Sequence, residues 1–391
     1  MRIAFTLIGG KHWLGGYNYI LNLLTLLRQY QKVPLTPVLF VGDTTPKEDI
    51  AAFNNIPGLE LVYTPLLDPS RRHRSLLQAL LLGQDRQMTK LFQDHHIDLV
   101  FEAAQFFGWR LGIRAIAWMP DFQHRKLPHL FSRGAWWKRE IGFRAQVMTQ
   151  RLIMLSSEDA RRTCEHYYTA TRGRTKVVHF AVQRGPDILY KDARAIADFY
   201  GLPEQFFFMP NQFWRHKNHD LVLDALAILR SRGKNIVIAA SGKQVDPRDP
   251  NYFPAFQKKL ERLGLENNLR LLGLIPYSDI APLMRASVAL LNPSLFEGWS
   301  TTVEEAKALG TPMILSDIAV HQEQAKENAI YFARNSAESL ANALDEFVQI
   351  GEVERENCAN IAKEITVQRV QKFARDFAEI VQIAYGKPKH I

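Results

Sequence analysis

Thirteen short apolar runs, most of them separated by amphipathic stretches, constrain this chain more than any other feature. In the first half they read "RIAFTLI", "LTPVLFVG", "LELVYTP", "IDLVFEA", "RAIAWMP", "RLIMLSS" and "KVVHFAV". In the second half they read "QFFFMPN", "NIVIAAS", "LRLLGLI", "VALLNPS", "PMILSD" and "AIYFAR". Helical patterns such as "YNYILNLLTLLRQY" and "HDLVLDALAILRSRG" lie between them. Near-continuous apolar strands joined by helical crossovers describe parallel sheets covered on both faces. The array restarts midway, and 391 residues favour two domains over one. The expected fold class is therefore α/β, with two Rossmann-like doubly wound parallel-sheet domains facing across a cleft. The segment 182–203, "VQRGPDILYKDARAIADFYGLP", interrupts the pattern and reads as the linker. The expected domains are 1–183 and 184–370, with a C-terminal helix over 371–391 packing back on the first.

Bulk properties narrow the classes. The two cysteines, Cys164 and Cys358, form no CxxC pair, so neither a zinc site nor a disulfide framework is expected. No run of about 18 apolar residues suggests a membrane span. The start "MRIAFTLIGGKHWLGG" reads as a buried first strand rather than a signal peptide. A soluble protein of a reducing compartment, the cytoplasm, fits these features. The net charge of +9 is uneven: residues 105–180 hold 14 Lys/Arg against 5 Asp/Glu, and the rest of the chain balances. Such a region attracts anionic partners or is simply a solvated surface.

Ligands of open α/β sheets bind at the carboxyl ends of the strands, so polar residues there carry the functional reading. After the first strand, Gly15 and Gly16 fall before a helix expected to begin near Tyr17. Paired glycines admit a close approach to backbone, and a helix N-terminus favours anions; a flexible turn explains them equally well. After the fifth strand come Asp121, His124 and Arg125. After the first strand of the second half come Gln212, Arg215, His216 and Lys217, ahead of a helix beginning near His219. A lysine in such a loop suits a phosphate. The "HKNH" histidines lack a third ligand, so no metal, and no other cofactor, is expected.

The richest stretch is 293–312, "PSLFEGWSTTVEEAKALGTP". Glu297 ends a strand, Gly298, Trp299 and Ser300 turn the chain, and a helix starts near Thr301 or Thr302. Capping boxes Thr301 with Glu304 and Thr302 with Glu305 are expected to occupy one of the later glutamates. Backbone N–H groups from Gly298 to Thr302 suit a diphosphate, and ionised carboxylates accept from vicinal hydroxyls. Diphosphate plus vicinal diols describes a nucleotide sugar.

At this point the sequence resembles a known family. "FEGWSTTVEEAKALGTPMILSD" is similar to the signature of retaining glycosyltransferases of the GT-B fold, family 4 (glycosyl transferases group 1), with its two glutamates eight apart at Glu297 and Glu305. "PNQFWRHKNHDLVLDAL" resembles the family's diphosphate loop, with Lys217 in the lysine position. "GGYNYILNLL" resembles its glycine pair, and "MPDFQHRKLPHLF" its sugar-contacting histidine loop, at His124. The resemblance runs in order along nearly the whole chain. It implies a retaining hexosyltransferase-type enzyme with an acceptor-side first domain and a donor-binding second domain. Lys217 and the amides after Glu297 would stabilise the leaving diphosphate of a UDP- or GDP-sugar. Glu297 would hold donor-sugar hydroxyls, Glu305 the ribose, and His124 the sugar from the other domain, with front-face attack by the acceptor. Gly15, Gly16, Gln212, Arg215, Gly298, Trp299, Ser300 and Thr301 would complete the substrate-binding set. Three positions depart from the family pattern: Gln212 stands where an arginine is usual, Ser300 for a glycine and Thr302 for a proline. Gln212 leaves open whether Arg215 supplies the missing charge.

The implied role is polysaccharide or glycoconjugate synthesis, with a hydroxyl acceptor that includes lipid-linked compounds. A non-catalytic nucleotide-sugar or glycan binder is the alternative. A nicotinamide oxidoreductase lacks its G-x-G-x-x-G, and a nucleic-acid partner lacks a recognisable module. The basic stretch "SRGAWWKREIGFRAQ" leaves two readings open. It forms a weak peripheral contact at the inner face of the membrane, or Trp136, Trp137 and Phe143 pack in the core and the arginines are solvated.

Overall fold

The computed structural model describes residues 1–7, 14–30, 34–103, 105–183 and 191–386. The chain divides into two compact units. One comprises Met1–His124, Arg133–Ala181 and Arg369–Ile391; the other comprises Arg125–Ser132 and Val182–Gln368. All thirteen expected strands form, and every pairing between them is parallel.

The first unit holds β1 (Arg2–Thr6), β2 (Thr36–Gly42), β3 (Glu60–Thr64), β4 (Leu99–Ala103), β5 (Arg114–Met119), β6 (Leu152–Leu155) and β7 (Thr175–Val177), in the order β3-β2-β1-β4-β5-β6-β7. The second holds β8 (Phe207–Met209), β9 (Ile238–Ser241), β10 (Leu269–Gly273), β11 (Ala289–Asn292), β12 (Met313–Ser316) and β13 (Ile330–Phe332), in the order β10-β9-β8-β11-β12-β13. Side chains alternate faces along a strand, and the cores follow that alternation. Ala289 and Leu291 of β11 join one buried cluster and Leu290 joins the other. Ile314 of β12 joins the first, and Met313 and Leu315 join the second. Each sheet is thus covered on both faces, which is why its strands read as continuous apolar runs.

Three local expectations change. The first helix spans Leu14–Tyr30, so Gly15 and Gly16 lie within it rather than ahead of it, because the buried face of Tyr19, Ile20 and Leu23 stabilises the helix through the glycines; residues 8–13 lie outside the described residues. The presumed linker contains a helix, Ala193–Phe199, because the Asp192 carboxylate accepts from the amides of Arg194 and Ala195; residues 184–190 lie outside the described residues. The basic stretch forms the helix Arg133–Val147, and its aromatics separate. Phe143 is buried with Met119, Phe122 and Leu155, Trp136 is half-buried, and Trp137 is 56% exposed. The C-terminal helix spans Glu352–Gly386, and its Val370, Phe373, Phe377 and Val381 complete the first unit's core beside Phe5 and Leu23. Among the described residues no helix is long and apolar enough to cross a membrane.

Candidate functional site

In the second unit the loops after β8 and β11 meet. After β8 the chain makes a tight turn at Arg215–Lys217, with Asn218 left-handed at φ 60°, before the helix His219–Ser231. Asparagine tolerates that conformation, and its side-chain amide donates to the Arg334 carbonyl at 2.9 Å. The Leu295 amide donates to the His216 carbonyl at 2.8 Å and ties the two loops together. Across that tie, Lys217 Nζ donates to Glu297 Oε1 at 2.6 Å, with both side chains largely buried. Ser294 Oγ lies 2.7 Å from the same carboxylate oxygen and 2.7 Å from Asn292 Oδ1. Burial alone would raise the Glu297 carboxyl; Lys217, His321 and Ser294 outweigh it and hold the group below its ordinary value, as an anion.

Sequence reasoning missed Asn292. Fully buried at the end of β11, its amide donates to Ser300 Oγ at 3.0 Å and Thr302 Oγ1 at 3.2 Å. It braces the Glu297 turn from inside. A polar residue closing an all-apolar strand was the available signal.

Gly298, Trp299 and Thr301 are half-buried. The Ser300 amide, expected to be open to an anion, donates instead to Gln324 Oε1 at 2.9 Å, while Gln324 Nε2 donates back to the Ser300 carbonyl at 3.1 Å. Neither capping box forms. Ser300 is the N-cap of the helix Thr301–Leu309, without a side-chain cap bond. Glu304 and Glu305 therefore sit too far into the helix to reach back to its first amide. Glu305, 3% exposed, accepts from the Tyr277 hydroxyl at 3.2 Å. Glu304, 1% exposed, accepts from Gln324 Nε2 at 3.1 Å and Lys307 Nζ at 3.3 Å. The cap reading predicts a cost of about 1 kcal/mol at most for Glu304→Gln, and the geometry gives this carboxylate other partners than the cap. A glutamine still offers a carbonyl oxygen to Gln324 and Lys307 but gives up the charge that strengthens both bonds, and about 1–2 kcal/mol of stability is expected to be lost in urea unfolding. An unchanged midpoint would remove this network from the account.

The helix Thr301–Leu309 ends at Gly310, left-handed at φ 69°. A Cβ there would lie 2.6 Å from the Cys358 carbonyl oxygen, so glycine alone lets the helix Glu352–Gly386 pass so close.

Three histidines surround this region, all buried. Burial is the largest cause holding each below the ordinary value, His219 at about 3, His321 at about 4 and His216 well below 6.5. Unfolding frees them to bind protons that the folded state refuses. Stability is fully present above about 6.5 and is lost as pH falls toward about 4. Urea midpoints at a series of pH values check this. His219→Phe, which keeps the stack on Phe213 at 4.2 Å, is expected to flatten the slope by about one proton.

In the first unit His124 follows β5 in the short helix Gln123–Lys126 and is fully buried. Its Nε2 stands 3.3 Å from Glu140 Oε2, which also accepts from the Tyr168 hydroxyl at 2.7 Å. Arg144 Nε donates to Glu140 Oε1 at 2.6 Å. Glu140, unremarked in the sequence, thus orients the imidazole. Gln212 Oε1 accepts from the Lys243 amide at 2.9 Å, and the Arg215 guanidinium is clamped on Asp249 at 2.6 Å. Among the described residues no group of three or more His, Cys, Asp or Glu could hold a metal ion.

Residues 195–365 match the family model described as Glycosyl transferases group 1. The O-antigen chain mannosyltransferase RfbU of Salmonella typhimurium is 26% identical over 148 residues, 38% of this chain and 39% of that protein. Mannosylfructose-phosphate synthase of Agrobacterium fabrum is 25% identical over 103 residues, 26% of this chain and 23% of that protein. The chain thus spans well under half the length of the curated relatives it matches. Among solved structures, Anabaena Alr3699/HepE in complex with UDP and glucose superposes at TM-score 0.69 and 18% identity, covering 98% of this chain and 99% of that one. A glycosyltransferase from Rickettsia africae gives 0.70 and 15%, covering 99% and 98%. The two doubly wound sheets of this chain have the GT-B fold of those structures, and its residues 195–365 are similar to the glycosyl transferases group 1 family.

Proposed function

We propose that the protein transfers a hexosyl group from a UDP- or GDP-sugar to a hydroxyl acceptor, with retention of anomeric configuration, in the synthesis of a cell-surface polysaccharide or glycoconjugate. The observation that carries this reading is the Lys217–Glu297 pair, 2.6 Å apart at the carboxyl ends of β8 and β11. One partner is a cation suited to a departing diphosphate, the other a carboxylate suited to sugar hydroxyls. Buried Glu305, one turn into the following helix, fits a ribose diol. The mannosyltransferase name of a relative and the UDP and glucose bound by a solved neighbour support a hexosyl donor. Negative charge grows on the leaving phosphate as the glycosidic bond breaks, so preorganised positive potential there makes the largest contribution to rate. The phosphate oxygen then takes the acceptor proton on the same face.

Thermal melts with UDP, GDP and ADP test the reading. A ligand at 100 times its Kd stabilises by about 2.7 kcal/mol, and one of the first two is expected to raise Tm. If none does, the reading fails; NMR of the product anomer then decides retention.

The acceptor we propose is lipid-linked and reached at an anionic membrane surface. On the helix Arg133–Val147, Trp137 and Ile141 are exposed one turn apart, beside exposed Arg133 and Lys138. Arg139 is paired with Asp121 at 2.6 Å, so Arg133→Glu/Lys138→Glu is the cleaner variant. Salt-sensitive co-sedimentation with phosphatidylglycerol vesicles is expected for the natural chain and is expected to be lost in the variant. Absence of binding at low salt would leave a soluble acceptor.

A further inference from the structure

The donor loop lacks the arginine usual at position 212, and neither Gln212 nor Arg215 is turned to replace it: one is bonded to the Lys243 amide, the other to Asp249. We propose that His216, held by Arg248 as the tautomer protonated on Nε2, is the second hydrogen-bond donor to the diphosphate beside Lys217. This rests on the nucleotide-sugar reading of the site and adds two residues to it.

Arg248 lies on the loop between β9 and the helix Tyr252–Leu263. Its Nη2 stands 3.2 Å from His216 Nδ1. A guanidinium carries donors and no acceptor, so Nδ1 must accept, and the ring proton must sit on Nε2. The usual ambiguity between tautomers is removed by the partner's chemistry. Arg248 is itself fixed: Nε donates to Asp246 Oδ1 at 3.2 Å, and its backbone amide donates to the same oxygen at 3.0 Å. Its guanidinium carbon lies 5.4 Å from the Trp214 ring centroid and 5.5 Å from that of Phe131. Asp246, 2% exposed, also accepts from the Arg215 amide at 3.1 Å, so one carboxylate sets both the turn carrying His216 and the arginine reading it.

His216 is buried, and its burial with Lys217 and Arg248 alongside keeps the ring neutral at physiological pH. Among the described residues nothing is bonded to Nε2. The ring therefore keeps one N–H to donate, and its neighbour in the turn is Lys217, near enough for its charge to help hold the imidazole neutral; a diphosphate bound by that turn presents several acceptor oxygens. A neutral imidazole donor replaces an arginine without adding a second charge to the Lys217–Glu297 pair. Arg248 acts through His216 and is a positioning residue.

The test joins ring spectroscopy to binding. Nitrogen-15 NMR of the uniformly labelled full chain, without ligand, is expected to show His216 with an unprotonated Nδ1 and a protonated Nε2. In Arg248→Met the ring is expected to become a tautomer mixture. Calorimetry with UDP and GDP, against uridine and guanosine, is expected to show diphosphate affinity reduced about 10- to 100-fold in His216→Phe and several-fold in Arg248→Met, with nucleoside affinity unchanged. His216→Gln, whose amide nitrogen sits where Nε2 does, is expected to retain most of it. A proton found on Nδ1 in the natural chain overturns the proposal. So does natural diphosphate affinity in His216→Phe while Lys217→Ala loses it, and in that case the donor site itself survives. If Lys217→Ala is also silent, or neither nucleotide binds, both readings fall.

Discussion

Lys217→Ala is expected to lower kcat by about 10²–10³-fold, the cost of removing one preorganised donor from a developing oxyanion. Two effects combine. In the proposed reading the departing diphosphate loses its ammonium partner, and Glu297 is left largely buried with Ser294 but without its cation. Burial, the largest influence on that carboxyl, is no longer opposed by Lys217, so its pKa rises and the carboxylate titrates at a higher pH than in the natural chain. The variant is therefore expected to lose donor affinity and to shift the acid limb of its pH–rate profile upward. Lys217→Arg restores charge but not the 2.6 Å geometry, and is expected to recover only part of the rate. Natural kcat/KM in Lys217→Ala would remove the diphosphate assignment.

Glu297→Gln is expected to act mainly on kcat, by about 10²-fold or more, because in the proposed reading its partner is the reacting sugar and its charge faces an oxocarbenium-like transition state. Glu305→Gln is expected to act mainly on KM. Ribose contacts are equally strong in ground and transition states, so their loss weakens binding without slowing the bound complex. The Tyr277 hydroxyl that reaches Glu305 can donate equally to a glutamine carbonyl, so the fold should hold. Both variants fold if their urea midpoints stay near that of the natural chain. Equal effects of the two substitutions on kcat would end this division of roles.

The sheets were legible because a strand buried on both faces needs no partner to be recognised: "VALLN" and "PMILS" are apolar whichever face is counted. The carboxyl-end positions of Lys217, Glu297 and Glu305 followed from those strands and from local spacing. What escaped depends on residues distant in sequence. Gln324 takes the Ser300 amide from 24 positions away, and no local pattern announces it. Asn292 matters only because Ser300 and Thr302 fold back over it. The capping boxes were misread for a local reason: Thr301 and Thr302 fit the motif, but the helix begins at Thr301, so Ser300 becomes the cap. The Arg248–His216 contact spans 32 residues and two loops, and only coordinates reveal it.

The resting Lys217–Glu297 pair has a consequence for which anions compete at this site. Its ammonium is already neutralised by a carboxylate at 2.6 Å, so an arriving anion must displace an internal counter-ion rather than fill a vacant positive hole. A free phosphate ion brings only its own charge to that exchange and should be a poor inhibitor, even at millimolar concentration. A nucleoside diphosphate brings base and ribose contacts that offset the exchange and deliver its phosphates at high effective concentration. The site would then stay selective in a cell crowded with simple anions, and phosphate buffer would be a benign medium in which to assay it.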